Sequence, residues 1–185
     1  MKLLPTAIPE VVEIEPDVYS DRRGFLMETY QKKRYEGSGV LTDFVQDNLS
    51  YSVQGTLRGL HYQHPHSQAK LVQVLKGEIF DAVVDIRRGS PSFGRWVGVQ
   101  LSDSDKHQLL IPEGFAHGFC VLSETALVHY KCSDIYAPEC EGGVLWSDPA
   151  LNIHWPVKKP MISEKDSRYG FLRDIPIERL PVYEG

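Results

Sequence analysis

The chain has 185 residues, enough to bury the core of one domain. An apolar fraction of 42% and a charged fraction of 24% exclude a disordered chain, and a net charge of −5 without a long basic run argues against a nucleic-acid partner while leaving room for one anionic ligand. The start carries no apolar stretch long enough for a signal peptide, nothing approaches the ~20 apolar residues of a membrane span, and three cysteines with no CxxC pair speak against a disulfide framework and for a reducing cytoplasm.

Twelve prolines and fifteen glycines are spread along the chain and chop it into short pieces. Such punctuation predicts an all-β sandwich or barrel with a few short helices. No linker, repeat or low-complexity tract breaks the sequence, so it reads as one domain with a core over about residues 5–173 and a tail over 174–185.

In chain order, Asp21-Arg22-Arg23-Gly24-Phe25 is an arginine-bearing turn whose guanidinium forks suit diphosphate oxygens. Phe25, together with Tyr136, could sandwich a flat base. Thr29 to Glu36 predicts about two helical turns, stopped by Gly37. Leu57 to Gln63 is an apolar strand with a lone imidazole, His61, close to a glycine. Strict alternation puts Arg58 and His61 on opposite faces of that strand, although Gly59 could permit a bulge that re-aims Arg58. His64-Pro65-His66 reads as a turn. Leu71–Leu75 and Ile79–Val84 flank Lys76-Gly77-Glu78 and predict a hairpin. Trp96 to Leu101 alternates, with Val97, Val99 and Leu101 on one face, and Ser102 to Asp105 is a loop. Ile111 to Phe119 carries a second strand histidine, His117, beside Gly118. Over Ala126 to Cys132, alternation points Tyr130 inward with Ala126, Val128 and Cys132, and points His129 outward. Ser163-Glu164-Lys165-Asp166 opens a short helix with Ser163 as N-cap, and the tail, with Pro176 and Pro181, reads as extended.

Two chemistries suit these residues. Four histidines, His61, His64, His66 and His117, invite a metal-dependent cupin, but the position where an anionic ligand should follow the His-x-His pair is Lys70, a cation. Without a metal, His61 could be a general base, Lys70 a fixed positive charge, Tyr130 a general acid, and Asp166 the carboxylate that orients His61. That set suits proton abstraction beside a ketone, where an enolate needs a cation or donors at its oxygen. Each member also has an ordinary reading: a satisfied core histidine, a surface lysine, a packed tyrosine, a first-turn acid.

Seven runs in order carry a family resemblance: Asp21 to Phe25, Phe44-Val45-Gln46-Asp47-Asn48, Leu57 to Gln63, Lys70-Leu71-Val72, Ile111 to Phe119, Tyr130-Lys131, and Ser163 to Asp166. The chain resembles the dTDP-4-dehydrorhamnose 3,5-epimerases, which are cupin-like jelly rolls. The resemblance implies His61 as the base at C3 and C5 of a dTDP-linked 4-keto-6-deoxy sugar, Asp166 as its partner, Tyr130 as the acid across the ring, and Lys70 at the C4 oxygen. It implies that His117, Arg58, Arg23, Glu28, Gln46, Asp47, Asn48, Glu141 and Lys165 hold the nucleotide sugar and that Tyr136 stacks on thymine. It further implies no cofactor and no metal, and a homodimer whose N-terminal segments reach the neighbouring site. Departures are small: Arg22 stands where an acid is common, Ala69 where glycine is common, and His129 is an unusual neighbour for Tyr130. Alternatives are an epimerase of one carbon only, a ketoisomerase on the same fold, a metal-dependent cupin oxygenase, and a non-catalytic sugar-binding jelly roll.

Overall fold

The computed structural model describes residues 1–40 and 42–185. Among them, thirteen strands run in the order β1 (Lys2–Pro5), β2 (Val12–Glu15), β3 (Val18–Asp21), β4 (Gly24–Met27), β5 (Gln46–Val53), β6 (Leu57–Gln63), β7 (Lys70–Lys76), β8 (Glu78–Asp85), β9 (Trp96–Ser102), β10 (Gln108–Ile111), β11 (Phe115–Val121), β12 (Thr125–Cys132) and β13 (Glu141–Gly143). One helix, α1 (Lys32–Gly37), lies between β4 and β5. A six-stranded sheet, β1-β2-β10-β7-β12-β5, faces a five-stranded sheet, β13-β6-β11-β8-β9, while β3 and β4 form a separate ribbon. This is the all-β architecture that the spacing of prolines and glycines predicts.

Period-two alternation fills the space between the sheets. Val72 and Val74 of β7, Val83 of β8, Val97 and Leu101 of β9, Phe119 of β11 and Val128 of β12 meet there, each worth about 1.5–3 kcal/mol when fully buried. The outer face of the five-stranded sheet is covered by the later chain, where Val144, Leu151, Leu172 and Leu180 pack on Leu60, Val84 and Ala116. That same stretch carries Asp166 back to β6. The outer face of the six-stranded sheet is covered near β2 and β10 by Tyr35 of α1 and Val40, over Ile14, Leu71 and Leu110. The Tyr35 hydroxyl donates to Gln108 Oε1 at 2.7 Å, and burial pushes that phenol up to about 12. Towards β5 the face is bare, with Leu49, Tyr51 and Val53 exposed.

Three expectations are corrected. The segments around Gly77 do not form a hairpin: β7 pairs with β10 and β12, whereas β8 pairs with β9 and β11. Gly77, at φ +84°, carries the chain from one sheet to the other, and a Cβ there would fall on the Thr125 carbonyl oxygen. The helix starts later than Thr29, because the Thr29 carbonyl accepts from Tyr35 Oη at 3.0 Å and Gln108 Nε2 at 2.7 Å; Gln31 is the cap, accepting the Arg34 N–H. The tail is not extended throughout, since Ile177–Arg179 makes a 3-10 turn that begins after Pro176.

The pairing of β6 with β11 settles how the site residues face. His117 lies opposite His61 and Phe119 opposite Arg58, so Gly59 and Leu60 together oppose Gly118 alone. This two-against-one count is a bulge. His117 and Phe119 share a face, and Arg58 and His61 therefore share it too. Gly59 sits at φ +121°, and a Cβ on it would lie 2.5 Å from Gly118 Cα and 2.7 Å from the His117 carbonyl oxygen. No side chain fits at that approach.

Candidate active site

A cavity of about 350 Å³ opens between the two sheets and is lined by His61, Lys70, Tyr130, Gln46, Asn48, Tyr136, Glu141 and Lys165, together with Tyr62, Gln63 and Gln68. His61 and Gln63 come from β6 in one wall, and Lys70 of β7 and Tyr130 of β12 come from the other. His61 also borders a groove of about 650 Å³ that includes Arg58, Ser163 and Asp166.

Asp166 stands in a one-turn 3-10 helix, Asp166–Arg168, whose cap position is Lys165 and not Ser163, although Ser163 Oγ accepts the Asp166 N–H at 3.0 Å as expected of it. One carboxylate oxygen, Oδ1, lies 2.9 Å from His61 Nε2, and the other accepts the Gly59 N–H at 3.1 Å. Burial pushes this carboxyl up, but the hydrogen bond and charge of His61 outweigh it, with help from Gly59 and Ser163, and hold it below the usual range. A buried carboxylate on Nε2 favours the tautomer with its proton there, which leaves Nδ1 as the basic nitrogen. The Tyr169 and His61 rings meet edge to face, with centroids 5.8 Å apart and planes at 72°.

Across the cavity, burial raises the Tyr130 phenol above its ordinary value, so it carries its proton at neutral pH. Burial lowers the Lys70 ammonium, and Cys132, Asp81 and Glu141 pull it the other way. A desolvated cation is where developing negative charge on a ketone oxygen gains most.

At the rim, Tyr136 donates to Glu141 Oε2 at 2.7 Å, and Lys165 donates to Glu141 Oε1 at 2.7 Å. Burial pushes the Glu141 carboxyl up, yet Lys165 and Tyr136 hold it below its usual range. The Tyr136 ring stays half exposed, open to a flat partner. Gln46 accepts the Tyr136 N–H at 2.9 Å and donates to Asn48 Oδ1 at 3.1 Å. Arg58 is exposed and bonds Ser52 Oγ at 3.0 Å.

Seven of the expected site residues are not in the cavity wall: Arg58 and Asp166 line the adjoining groove, and five lie in neither. Asp47 points to the outer face of β5 and pairs with Lys131 at 2.9 Å, because alternation puts Gln46 and Asn48 inside. His117 lies deeper, with Nε2 2.9 Å from Asp81 Oδ2, and both are buried. Arg23, Phe25 and Glu28 lie on or beside the β3–β4 ribbon: Arg23 pairs with its own Asp21 at 2.6 Å, Phe25 lies under the Lys106 ammonium, and Glu28 meets Arg34 at 3.3 Å.

Gln63 lines the cavity, and Asp81 and Cys132 lie behind its wall on His117 and Asn48; the sequence reading singles out none of the three for the site. Asp81 had a signal, a lone charge in the apolar run Ile79–Val84. Its Oδ1 is buried without a hydrogen-bond partner among the described residues. Gln63 accepts the Ala137 N–H at 2.8 Å and donates to the His66 and Ile135 carbonyls, which ties the rim loops to β6. Cys132 lies on the Tyr130 face of β12, where its sulfur accepts from Asn48.

Residues 5–174 match the family model of dTDP-4-dehydrorhamnose 3,5-epimerase. The chain belongs to this family. It is a carbohydrate epimerase with the cupin-like fold of its relatives. The dTDP-4-dehydrorhamnose 3,5-epimerase of Shigella flexneri is 54% identical over 168 residues, covering 90% of this chain and 93% of that one. A dTDP-4-dehydrorhamnose 3-epimerase of Streptomyces niveus is 41% identical over 168 residues, covering 90% and 81%. Among solved structures, the dTDP-6-deoxy-D-glucose-3,5-epimerase of Legionella pneumophila in complex with dTDP-4-keto-L-rhamnose superposes with a TM-score of 0.97 at 51% identity, covering 100% of this chain and 99% of that one. The metal-dependent oxygenase reading needs several metal-binding side chains in one place. Among the described residues no group of three or more His, Cys, Asp or Glu is so arranged. No helix among them is long and apolar enough to cross a membrane.

Proposed function

We propose that this epimerase inverts C3 and C5 of dTDP-4-dehydro-6-deoxy-D-glucose, giving dTDP-4-dehydro-β-L-rhamnose, with His61 as base, Tyr130 as acid and Lys70 at the ketone oxygen. The C4 carbonyl acidifies the hydrogens on both neighbours. His61 Nδ1 takes a proton from C3, the C–H electrons move into the C3–C4 bond, and the C4 oxygen becomes an enolate facing Lys70. Tyr130 returns a proton to C3 from the opposite wall, so the carbon is inverted. Before the same sequence runs at C5, the imidazolium gives its proton to solvent and the phenolate takes one from it; a second such exchange after C5 resets both groups. Asp166 stabilises the imidazolium formed at each abstraction. The single observation that carries this reading is that His61, backed by a buried carboxylate, shares one cavity with Lys70 and Tyr130.

The nucleotide half fits the rim. Tyr136 offers a half-exposed aromatic face to thymine, and Arg58 and Lys165 offer cations to the diphosphate. We place Arg23, Phe25 and Glu28 at a neighbour's site in a homodimer that exchanges N-terminal segments. In favour of this, the ribbon holding Arg23 and Phe25 exposes Tyr19, Phe25 and Leu26 at 65%, 58% and 75%, and the bare face of β5 adds Leu49 and Tyr51. Three free, buried cysteines fit a reducing compartment, and we place the enzyme in the cytoplasm on that ground.

Incubation with dTDP-4-dehydro-6-deoxy-glucose in heavy water tests the assignment. Wild type exchanges hydrogen at both C3 and C5, and His61→Ala abolishes exchange at both. Exchange at the wild-type rate in the variant would remove His61 as base. Exchange and inversion confined to one carbon would make this an epimerase of that carbon only.

A further inference from the structure

We propose that Tyr169 is a positioning residue for the base, its ring braced against the His61 imidazole, and that Gly143 lacks a side chain to make room for that ring. The inference rests on His61 being the base. A histidine ring turns freely about χ2, whose wells are broad. The hydrogen bond from Nε2 to Asp166 fixes one point of the ring and leaves a pivot about that bond. A flat group against the imidazole stops the pivot, and Tyr169 supplies one at 5.8 Å and 72°.

Three further observations point the same way. Tyr169 directly follows the 3-10 turn that carries Asp166, so one short segment delivers both restraints. Gly143 lies opposite His61 in the pairing of β13 with β6. A Cβ on Gly143 would overlap the Tyr169 ring. The room for the brace is therefore cut into the strand beside the base. The Tyr169 hydroxyl makes no hydrogen bond among the described residues, and burial, with Glu141 and Asp166 adding to it, keeps the phenol above its ordinary range. It is a neutral wall, and a phenylalanine would do the same.

The test is steady-state kinetics and solvent exchange on Tyr169→Ala, Tyr169→Phe, Gly143→Ala and the double variant Gly143→Ala/Tyr169→Ala, beside His61→Ala. Misplacing a reacting group by a fraction of an ångström predicts a loss in kcat of about tenfold for Tyr169→Ala with KM within about twofold. Tyr169→Phe restores kcat. Gly143→Ala shows the same loss, and the double variant is no worse than Tyr169→Ala, because the methyl then has room. If Tyr169→Ala does not fold, Tyr169→Leu, which fills the space without a flat ring, takes its place under the same criteria. Wild-type kcat in the alanine or leucine variant, failure of phenylalanine to restore it, or additive losses in the double variant would each overturn the proposal. Undiminished exchange in His61→Ala would instead overturn the base assignment beneath it, so the two failures are told apart.

Discussion

Asp166→Asn is the sharpest probe of the dyad. The geometry dictates how the new amide sits. Oδ2 of the carboxylate accepts the Gly59 N–H at 3.1 Å, so only an oxygen is tolerated there. The amide must keep its oxygen on Gly59 and turn its NH₂ towards His61 Nε2, 2.9 Å from the present Oδ1. Nε2 then becomes an acceptor, the imidazole proton moves to Nδ1, and the nitrogen proposed as the base can no longer accept a proton. The same inversion in a Ser-His-Asp triad costs about 10⁴ in kcat. At 1.36 kcal/mol per decade, a loss of 10³–10⁴ here corresponds to about 4–5.5 kcal/mol of barrier. Stability should change by only about 1 kcal/mol, or ~2–4 °C in Tm for a chain of this size. NMR in heavy water reads exchange at C3 and C5, and differential scanning fluorimetry reads Tm. Asp166→Ala leaves the ring free to sample both tautomers, so it should be no worse than Asp166→Asn. An asparagine variant within tenfold of wild type, or an alanine variant far slower than the asparagine one, would refute the tautomer argument.

Tyr130→Phe should reduce net inversion more than proton exchange, since the base still works and only the opposite-face donor is lost; equal losses by NMR would count against Tyr130 as acid. Lys70→Met should abolish turnover and raise stability, because a desolvated cation is replaced by an apolar chain of similar length; each kcal/mol gained appears as ~2–4 °C in Tm, and a lower Tm would contradict it. Asp166 is held below its ordinary value of 3.8, so its stabilising share is complete above about pH 4 and is lost as the pH falls through the lowered value. Denaturant titrations between about pH 5 and pH 2 should therefore show a shallower acid loss in Asp166→Asn than in wild type.

Much of the site was legible because strand alternation is a strong rule. It placed Tyr130 inward and His129 outward, and both hold. It also separates Asp47 from Gln46 and Asn48, although a motif treats the three as one unit. Alternation fails at Gly59, where the face of Arg58 depends on a bulge that sequence allows without requiring. Which strands pair was not legible around Gly77, since a glycine turn between two apolar runs looks the same whether the chain folds back or crosses to another sheet. Asp81 escaped because a lone acid in a strand gives no hint of a histidine 36 positions later. Tyr169 escaped for a different reason: its relation to His61 exists only after residues 144–180 have wrapped the outer face.

The two-against-one step in β6 makes the chemistry a matter of parity. On either side of it the strand counts inward and outward in opposite phase, and Arg58 and His61 share a face only because the count slips once between them. Deleting either residue of that step would leave every other side chain in the sequence and send Arg58 to the outer face of its own sheet, away from His61. Length, more than side-chain identity, is what this stretch of strand has to preserve.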